Sequence, residues 1–434
     1  MRLLFLSRDF SGASLCRRLH DEGNELRAYC VEPAFAHTLD GLIEKVGSVE
    51  LGIEWVGRDG LIVCDDTGFG AVQDQLRADG FRVVGGSTMG DRLEHDRLFA
   101  MQLFKQCGMQ IPETHFFPTC GEAADYVRKN HAPWVIKHNG NAPKASCYVG
   151  EMPDGSDVID ILDALQAGCR NPEDARKTPC QHCGTILQKR MFGREIGVAR
   201  YFNGFDWVGP IELNIEHKRL FPGALGPNTA EMGTAMHYAE NHSLFDATLA
   251  KLKPWLVEAG FRGNIDINCI INAEGIWPLE ATARFGYPAT QLQMAFHLSS
   301  WTDFLSALAD GQPFDLEWRP GFGVVILIAA PPFPFGPSTD RRGSGVRGIP
   351  VRFRRELDPA ESQHVHFEGV TFQNHSVPAR HVICDDTGYV MHVTGHGRDP
   401  ATARMNALAL AKEIVIPGMF YRHDIGEGAD FIGL

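Results

Sequence analysis

The chain has 434 residues, with 54 acids against 41 bases, a formal net charge of −13 and 46 glycines. At roughly 150 residues per domain the length suggests about three domains, enough chain to bury a core without staples. No apolar run approaches the ~18 residues of a membrane helix, the opening apolar stretch is too short for a signal peptide, and the acidic balance argues against a general nucleic-acid coat. The eleven cysteines form an odd, scattered set from Cys16 to Cys384. They read as reduced thiols of a cytoplasmic protein rather than a disulfide framework. Cys180 and Cys183, with Cys169 upstream, resemble half of a zinc ribbon. The second pair of such a ribbon is missing, so a plain turn is favoured over a structural zinc.

In chain order, residues 2–6 form an apolar run suited to a buried strand, and residues 14–22 carry apolar positions at helical spacing up to Gly23. Residues 61–64 and 82–85 read as further strands, with a helix at 71–79 between them. Strands alternating with helices at this spacing indicate a parallel α/β sheet over residues 1–90. A helix is expected over 91–107, then strands at 134–137, 146–149 and 185–189, with a helix at 156–167. A hairpin spans 196–202 and 207–212, a helix 242–259, and a second hairpin 264–271 and 276–280 around an Asn-Ala-Glu-Gly turn. A Pro/Gly-rich stretch at 329–350 opens a third unit, with antiparallel strands at 351–354, 382–384 and 389–393 and a helix over 400–414.

The second hairpin carries Asp266 and Glu280. Side chains on a strand alternate faces, so in matching register the two carboxylates share one face. Magnesium bridging nucleotide phosphates needs one or two such carboxylates, with phosphate and water oxygens completing the octahedron. For the hairpin alone, two solvated carboxylates are the simpler reading.

The surrounding motifs change that balance. Glu280-Ala-Thr282-Ala-Arg284-Phe-Gly286-Tyr-Pro288-Ala-Thr290-Gln291 resembles the metal-binding strand and loop of the glycinamide ribonucleotide synthetases, E-F-N-x-R-F-G-D-P-E-T-Q. Glu216-His-Lys218-Arg219 followed by Gly226-Pro227-Asn228-Thr229-Ala-Glu231-Met-Gly233 resembles that family's D-H-K-R and G-P-N-T-G-G-M-G. Phe420-Tyr-Arg422-His-Asp424-Ile-Gly426 resembles its F-Y-R-x-D-I-G. Three motifs in the family's order extend the resemblance over essentially the whole chain. It implies an α/β and α+β multidomain protein of the ATP-grasp superfamily. The parts are a Rossmann-like N-terminal domain (1–90), a two-lobed ATP-grasp core (91–318, mobile lobe about 115–192) and a mixed β/α C-terminal domain (319–434).

The resemblance further implies an ATP-dependent carboxylate–amine ligase. A small, glycine-like amino acid would be activated as an acyl phosphate and passed to an amine, either phosphoribosylamine or a diverged acceptor. The alternative is a homologue that binds ATP without catalysis. The implied cofactors are ATP and Mg²⁺ or Mn²⁺, and the implied partners small molecules, with the protein a monomer or homodimer off the membrane. By position in the motifs, Arg97, Lys137, Lys144, Lys189, Met191 and Glu195 contact ATP, with Glu195 on ribose and Lys189 and Met191 flanking adenine. Glu280, Asp266 and Thr282 (or Asn268) hold metal. Lys218, Arg219, Pro227, Asn228 and Thr229 contact substrate, and Arg284 clamps the acyl phosphate.

Departures from the family pattern concentrate where the acceptor would bind. The first loop reads Ser7-Arg8-Asp9-Phe10-Ser11-Gly12 in place of G-G-R-E-H, and G-D-P-E becomes Gly286-Tyr287-Pro288-Ala289. An acid-free stretch holding Arg341, Arg342, Arg347, Arg352, Arg354 and Arg355 is either a solvated face or a site for a phosphorylated or polyanionic acceptor.

Overall fold

The computed structural model describes residues 1–138, 147–168, 184–335, 346–373 and 379–431. The N-terminal strands β1 (Arg2–Ser7), β2 (Glu25–Cys30), β3 (Glu44–Lys45), β4 (Leu61–Cys64) and β5 (Arg82–Val84) form one sheet in the order β3-β2-β1-β4-β5. All neighbours pair in parallel. Leu3 to Leu6 of β1 and all four residues of β4 are buried, as strands covered on both faces must be. The strand order reverses between β1 and β4, and in such sheets the carboxyl ends at the reversal open a crevice. The loops leaving β1 and β4, which carry Asp9 and Asp66, lie there.

A four-stranded antiparallel sheet follows, ordered β6-β9-β7-β8, from β6 (Thr114–Phe117), β7 (Trp134–Lys137), β8 (Tyr148–Val149) and β9 (Thr185–Lys189). Helices Cys120–Lys129 and Ser156–Gly168 pack together against it over a small core of their own.

The largest sheet begins with β10 (Arg194–Asn203) and β11 (Trp207–Glu216). The ribbon β12 (Arg219–Phe221) and β13 (Leu225–Asn228) branches off next, before β14 (Gly233–Ala239), β15 (Arg262–Asn272), β16 (Gly275–Thr282) and β17 (Phe322–Ala329). Among the described residues six more strands follow: β18 (Arg352–Phe353), β19 (Val365–Phe367), β20 (Val370–Gln373), β21 (Arg380–Ile383), β22 (Tyr389–Gly397) and β23 (Ile414–Val415). Eight of these pair in the order β16-β15-β10-β11-β14-β17-β22-β19. One antiparallel sheet therefore runs from the hairpin that carries Glu280 into the C-terminal strands. The run Phe-Gly-Val-Val-Ile-Leu-Ile-Ala of β17 joins the two halves and is buried from its second residue on.

Two helices expected as single pieces are broken. In place of one helix over 91–107 the chain forms Thr88–His95 and Arg97–Gln106. Asp96 adopts extended backbone between them, and its side chain caps the second helix by accepting from Phe99 N at 3.1 Å. A short acceptor side chain competes with the helix for backbone donors, and the break sets Arg97 at the start of a new helix. Thr248 similarly separates Ser243–Ala247 from Leu249–Glu258. The last helix, Pro400–Ala411, stops short of residue 414 because Ile414 and Val415 leave to pair with β18.

Among the polar groups this packing buries is His297, which meets the Tyr238 hydroxyl at 2.9 Å and stacks on Trp301 at 4.7 Å. Burial pushes its pKa down to about 3. An unfolded histidine titrates near ~6.5, so the neutral ring adds stability above that pH, and the contribution is lost as pH falls toward the folded value. Urea unfolding between pH 6.5 and 4 is expected to show falling stability. His297→Phe should flatten the slope by up to ~1.4 kcal/mol per pH unit.

Candidate active site

The hairpin register places Asp266 opposite Thr282 and Asn268 opposite Glu280. All four side chains therefore share one face, as the period-two argument requires. The next strands extend this face. On β11, Glu212, Asn214 and Glu216 alternate with apolar residues and point the same way. Between β15 and β11 lies β10, which contributes Gly197. A Cβ on Gly197 would fall 2.1 Å from Asn214 Oδ1 and 2.7 Å from Asn268 Oδ1. The missing side chain is what lets oxygens from both neighbouring strands converge.

Three of these oxygens are acceptors without donors. Asn214 Nδ2 donates to Asp266 Oδ2 at 2.7 Å and to Glu212 Oε1 at 3.1 Å, while Asn268 Nδ2 donates to Glu216 Oε1 at 3.3 Å. Asp266 Oδ1, Asn214 Oδ1 and Asn268 Oδ1 are buried with no hydrogen-bond partner. Burial, followed by the nearby Glu216 and Glu212, holds the Asp266 carboxyl well above its usual range. A cluster of hard oxygens lacking donors is suited to a hard cation. Among the described residues, no three acidic, histidine or cysteine side chains form a ready metal cage. Mg²⁺ asks for less, since phosphate and water oxygens fill most of its shell. The donor set thus fits Mg²⁺, with Glu280, Asp266 and Asn268 the residues that would hold it.

Cations close the cluster from the other side. Arg97 donates from a guanidinium nitrogen to Glu280 Oε2 at 2.7 Å and from Nε to the His138 carbonyl at 3.0 Å. Lys218 Nζ lies 2.9 Å from Glu216, 3.2 Å from Glu195 and 3.7 Å from Glu280. Lys137 Nζ, at the end of β7, donates to the Leu279 carbonyl at 3.2 Å. Burial opposes charge on Glu280, yet Lys218, Arg97 and Lys137 hold its carboxyl well below the usual range. Burial also lowers Lys137, to about 8, against the pull of Glu280.

A cavity of about 660 Å³ extends from this face into the crevice between β1 and β4. Lys218, Asn228, Thr229, Asp266, Glu280, Thr282 and Arg284 from the motifs all line it. Arg284 is fixed by carboxylates: its Nε lies 3.3 Å from both Glu94 and Asp66. Arg219 instead turns to the Gly226 carbonyl at 2.7 Å, and Pro227 is exposed on β13. In the hinge run after β9, Lys189 N donates to the Glu113 carbonyl and Arg190 N to that of Pro133. Met191 is half-buried beside them, and Glu195 is an exposed partner of Lys218. Lys144 and the three cysteines Cys169, Cys180 and Cys183 lie outside the described residues, as do Arg341 and Arg342. The described arginines of the 341–355 stretch are turned elsewhere. Arg347 pairs with Asp386 at 3.3 Å, Arg355 with Glu361 at 2.6 Å, and Arg354 donates to the Lys412 carbonyl at 2.9 Å. None of them lines the cavity.

The third motif proves to be a brace. Arg422, 3% exposed, forms a two-pronged pair with Asp424 at 2.8 and 2.7 Å and donates to the Arg219 carbonyl at 2.8 Å. Asp424 in turn accepts from Gly223 N, and Gly426 N donates to His217 Nε2 at 3.0 Å. Burial drives His217 down to about 4, keeping it an acceptor at neutral pH. The carboxyl-terminal segment thereby locks the loop that presents Lys218, Asn228 and Thr229.

This arrangement is the ATP-grasp fold. No family model matches the chain. The chain is similar to phosphoribosylamine–glycine ligases along most of its length. That of Leifsonia xyli is 27% identical over 92% of this chain and 90% of the relative. That of Halalkalibacterium halodurans is 23% identical over 90% of this chain and 85% of the relative. Among solved structures, the phosphoribosylamine–glycine ligase of Thermotoga maritima superposes with a TM-score of 0.73 at 19% identity, covering 98% of this chain and all of that one. A biotin carboxylase from Campylobacter jejuni in complex with an ATP analogue superposes with a TM-score of 0.64 at 12% identity, over 98% of this chain and 94% of that one. The resemblance carried by the motifs therefore holds for the whole chain and its fold.

Two outcomes test the geometry. Gly197→Ala should weaken Mg²⁺-dependent ATP binding at least tenfold by calorimetry while leaving the circular dichroism spectrum unchanged. Arg422→Met strands Asp424 and the carbonyl of Arg219, and breaking a buried pair costs about 3 kcal/mol. Urea unfolding is expected to show a loss of that size.

Proposed function

We propose that the protein is an ATP-dependent carboxylate–amine ligase that activates the carboxylate of a small amino acid as an acyl phosphate and joins it to an amine. The observation that carries this reading is the oxygen-rich face over Gly197 with Arg97, Lys137 and Lys218 closing on Glu280. A transferring phosphoryl group needs little covalent help from the protein, so catalysis is positioning and charge neutralisation.

In this reading the donor carboxylate attacks the γ-phosphorus of ATP, the bond to the bridging oxygen breaks and ADP leaves. The amine then attacks the acyl carbon, releases phosphate and loses a proton. Bound Mg²⁺ would supply charge neutralisation on the phosphates. Arg97, Lys137 and Lys218, gathered around Glu280, would neutralise the same oxygens. Arg284, aligned by Glu94 and Asp66, presents a planar fork at the cavity wall that suits a carboxylate or acyl phosphate. Glu195 would hold ribose, Lys189 and Met191 would flank adenine, and the lobe over about 115–192, Lys144 included, would close on the phosphates. Thr282 faces Asp266 across the hairpin and would add a weaker oxygen to the metal set. Lys218, Asn228 and Thr229 fit substrate contacts on the cavity wall, while Arg219 and Pro227 would act by shaping the β12–β13 ribbon.

Phosphate release from ATP and Mg²⁺, measured across a panel of small amino acids with an amine present, is expected to depend on one of those amino acids. Glu280→Gln should lower kcat at least ~100-fold, the usual scale for losing one preorganised charge at a phosphoryl site. An amino-acid-independent trickle in both proteins would leave only a nucleotide binder.

A further inference from the structure

The far end of the cavity, away from Glu280, gathers five acids from five separate loops. Asp9 leaves β1 and Asp66 leaves β4 at the strand-order reversal, Glu231 precedes β14, Glu368 sits between β19 and β20, and Asp385 between β21 and β22. Among the described residues that line this part of the wall the one cation is Arg284, already held by Asp66 and Glu94 at 3.3 Å each. Tyr389 sits among these groups, its phenol pushed well up by burial and by Glu368, Glu231 and Asp9.

Glu368 is the informative member. It is 4% exposed and lines the cavity. Its Oε1 accepts from Gln291 Nε2 at 2.6 Å and Ser14 Oγ at 3.0 Å and lies 3.4 Å from His392 Nδ1, whereas Oε2 has no partner. A buried carboxylate oxygen without a donor is costly, and three buried polar side chains hold this one in place. The aromatic rings of Tyr287 and Phe333 line the same end, and ring faces attract cations.

We propose that this end of the cavity is an acceptor subsite for an amine that bears a second cationic group and no phosphate. The inference rests on the ligase reading and names the class of its acceptor. The nucleophilic amine would face the acyl carbon near Arg284. Its second ammonium or guanidinium group would give Glu368 Oε2 its missing donor, with Asp9 and Asp385 completing the counter-charge. Phosphoribosylamine, the amine in the relatives' name, carries a phosphate that this acidic wall would repel. Arg347, Arg354 and Arg355 of the 341–355 stretch have partners outside the cavity, and no described arginine of that stretch lines it. The chemistry balances as in the general reaction: the new C–N bond forms, the acyl C–O bond breaks, phosphate leaves with its oxygen, and the second cationic group is unchanged.

Calorimetric titration of the full chain with putrescine, n-butylamine and ribose-5-phosphate tests this, after saturation with a non-hydrolysable ATP analogue and Mg²⁺. Putrescine is expected to bind at least tenfold tighter than n-butylamine, with ribose-5-phosphate the weakest. Glu368→Gln should bring the putrescine to n-butylamine ratio toward one, and Asp9→Asn, in a surface loop, should lower it as well. Equal affinity for the two amines, tighter binding of ribose-5-phosphate, or a ratio that survives both substitutions would overturn the subsite. Failure of the ATP analogue and Mg²⁺ to bind in the first titration overturns the ligase reading itself. Normal nucleotide binding with no amine preference overturns the subsite alone.

Discussion

The structure turns on a concentration of negative charge that one sheet face could not hold without help. Glu280, Asp266, Glu212 and Glu216 come from neighbouring strands and crowd around the gap left by Gly197. At short range in a partly dry site, like charges repel by several kcal/mol. Arg97, Lys137 and Lys218 offset this from three other segments: a helix start, a strand end in the small sheet, and the loop after β11. Burial and the neighbouring Glu216 and Glu212 instead raise the Asp266 carboxyl well above its usual range. The site is thus poised for cations and phosphates to replace a balance that the protein alone meets only in part.

Other features follow from keeping those cations in position. The break at Asp96 starts the helix that aims Arg97, and the Arg422–Asp424 brace holds the loop that carries Lys218. The eight-stranded sheet makes the C-terminal strands a continuation of the catalytic face. Glu368, Asp385 and Tyr389 of the C-terminal part and Asp9 of the first loop therefore line one cavity.

Much of this was legible in the sequence. That Asp266 and Glu280 share one face follows from strand period given the observed register, and the motif residues Lys218, Asn228, Thr229, Thr282 and Arg284 do come together. The signal for the rest of the oxygen cluster was also present: Glu212, Asn214 and Glu216 make a polar face on an otherwise apolar strand, and Gly197 interrupts a β-branched and aromatic one. The apolar run of β17, which fuses the two halves, carried the plain pattern of a central strand. The acidic end of the cavity carried no such signal. Asp9, Asp66, Glu231, Glu368 and Asp385 belong to separate loops spread from the first strand to the C-terminal strands, and only the topology collects them. In the arginine-rich stretch sequence shows charge density and not partners, and of its described members Arg347 and Arg355 are ion-paired outside the cavity. The helix breaks at Asp96 and Thr248 reflect local side-chain competition that helical spacing cannot register.

The central claim is that a carboxylate oxygen of the substrate attacks ATP. The most direct measurement is turnover with an amino acid labelled with ¹⁸O in its carboxylate, followed by mass spectrometry of the released phosphate. The account predicts one labelled oxygen per phosphate, carried over when the acyl C–O bond breaks. Phosphate released at the same rate without label would show that water, not the carboxylate, attacks ATP, and would contradict it.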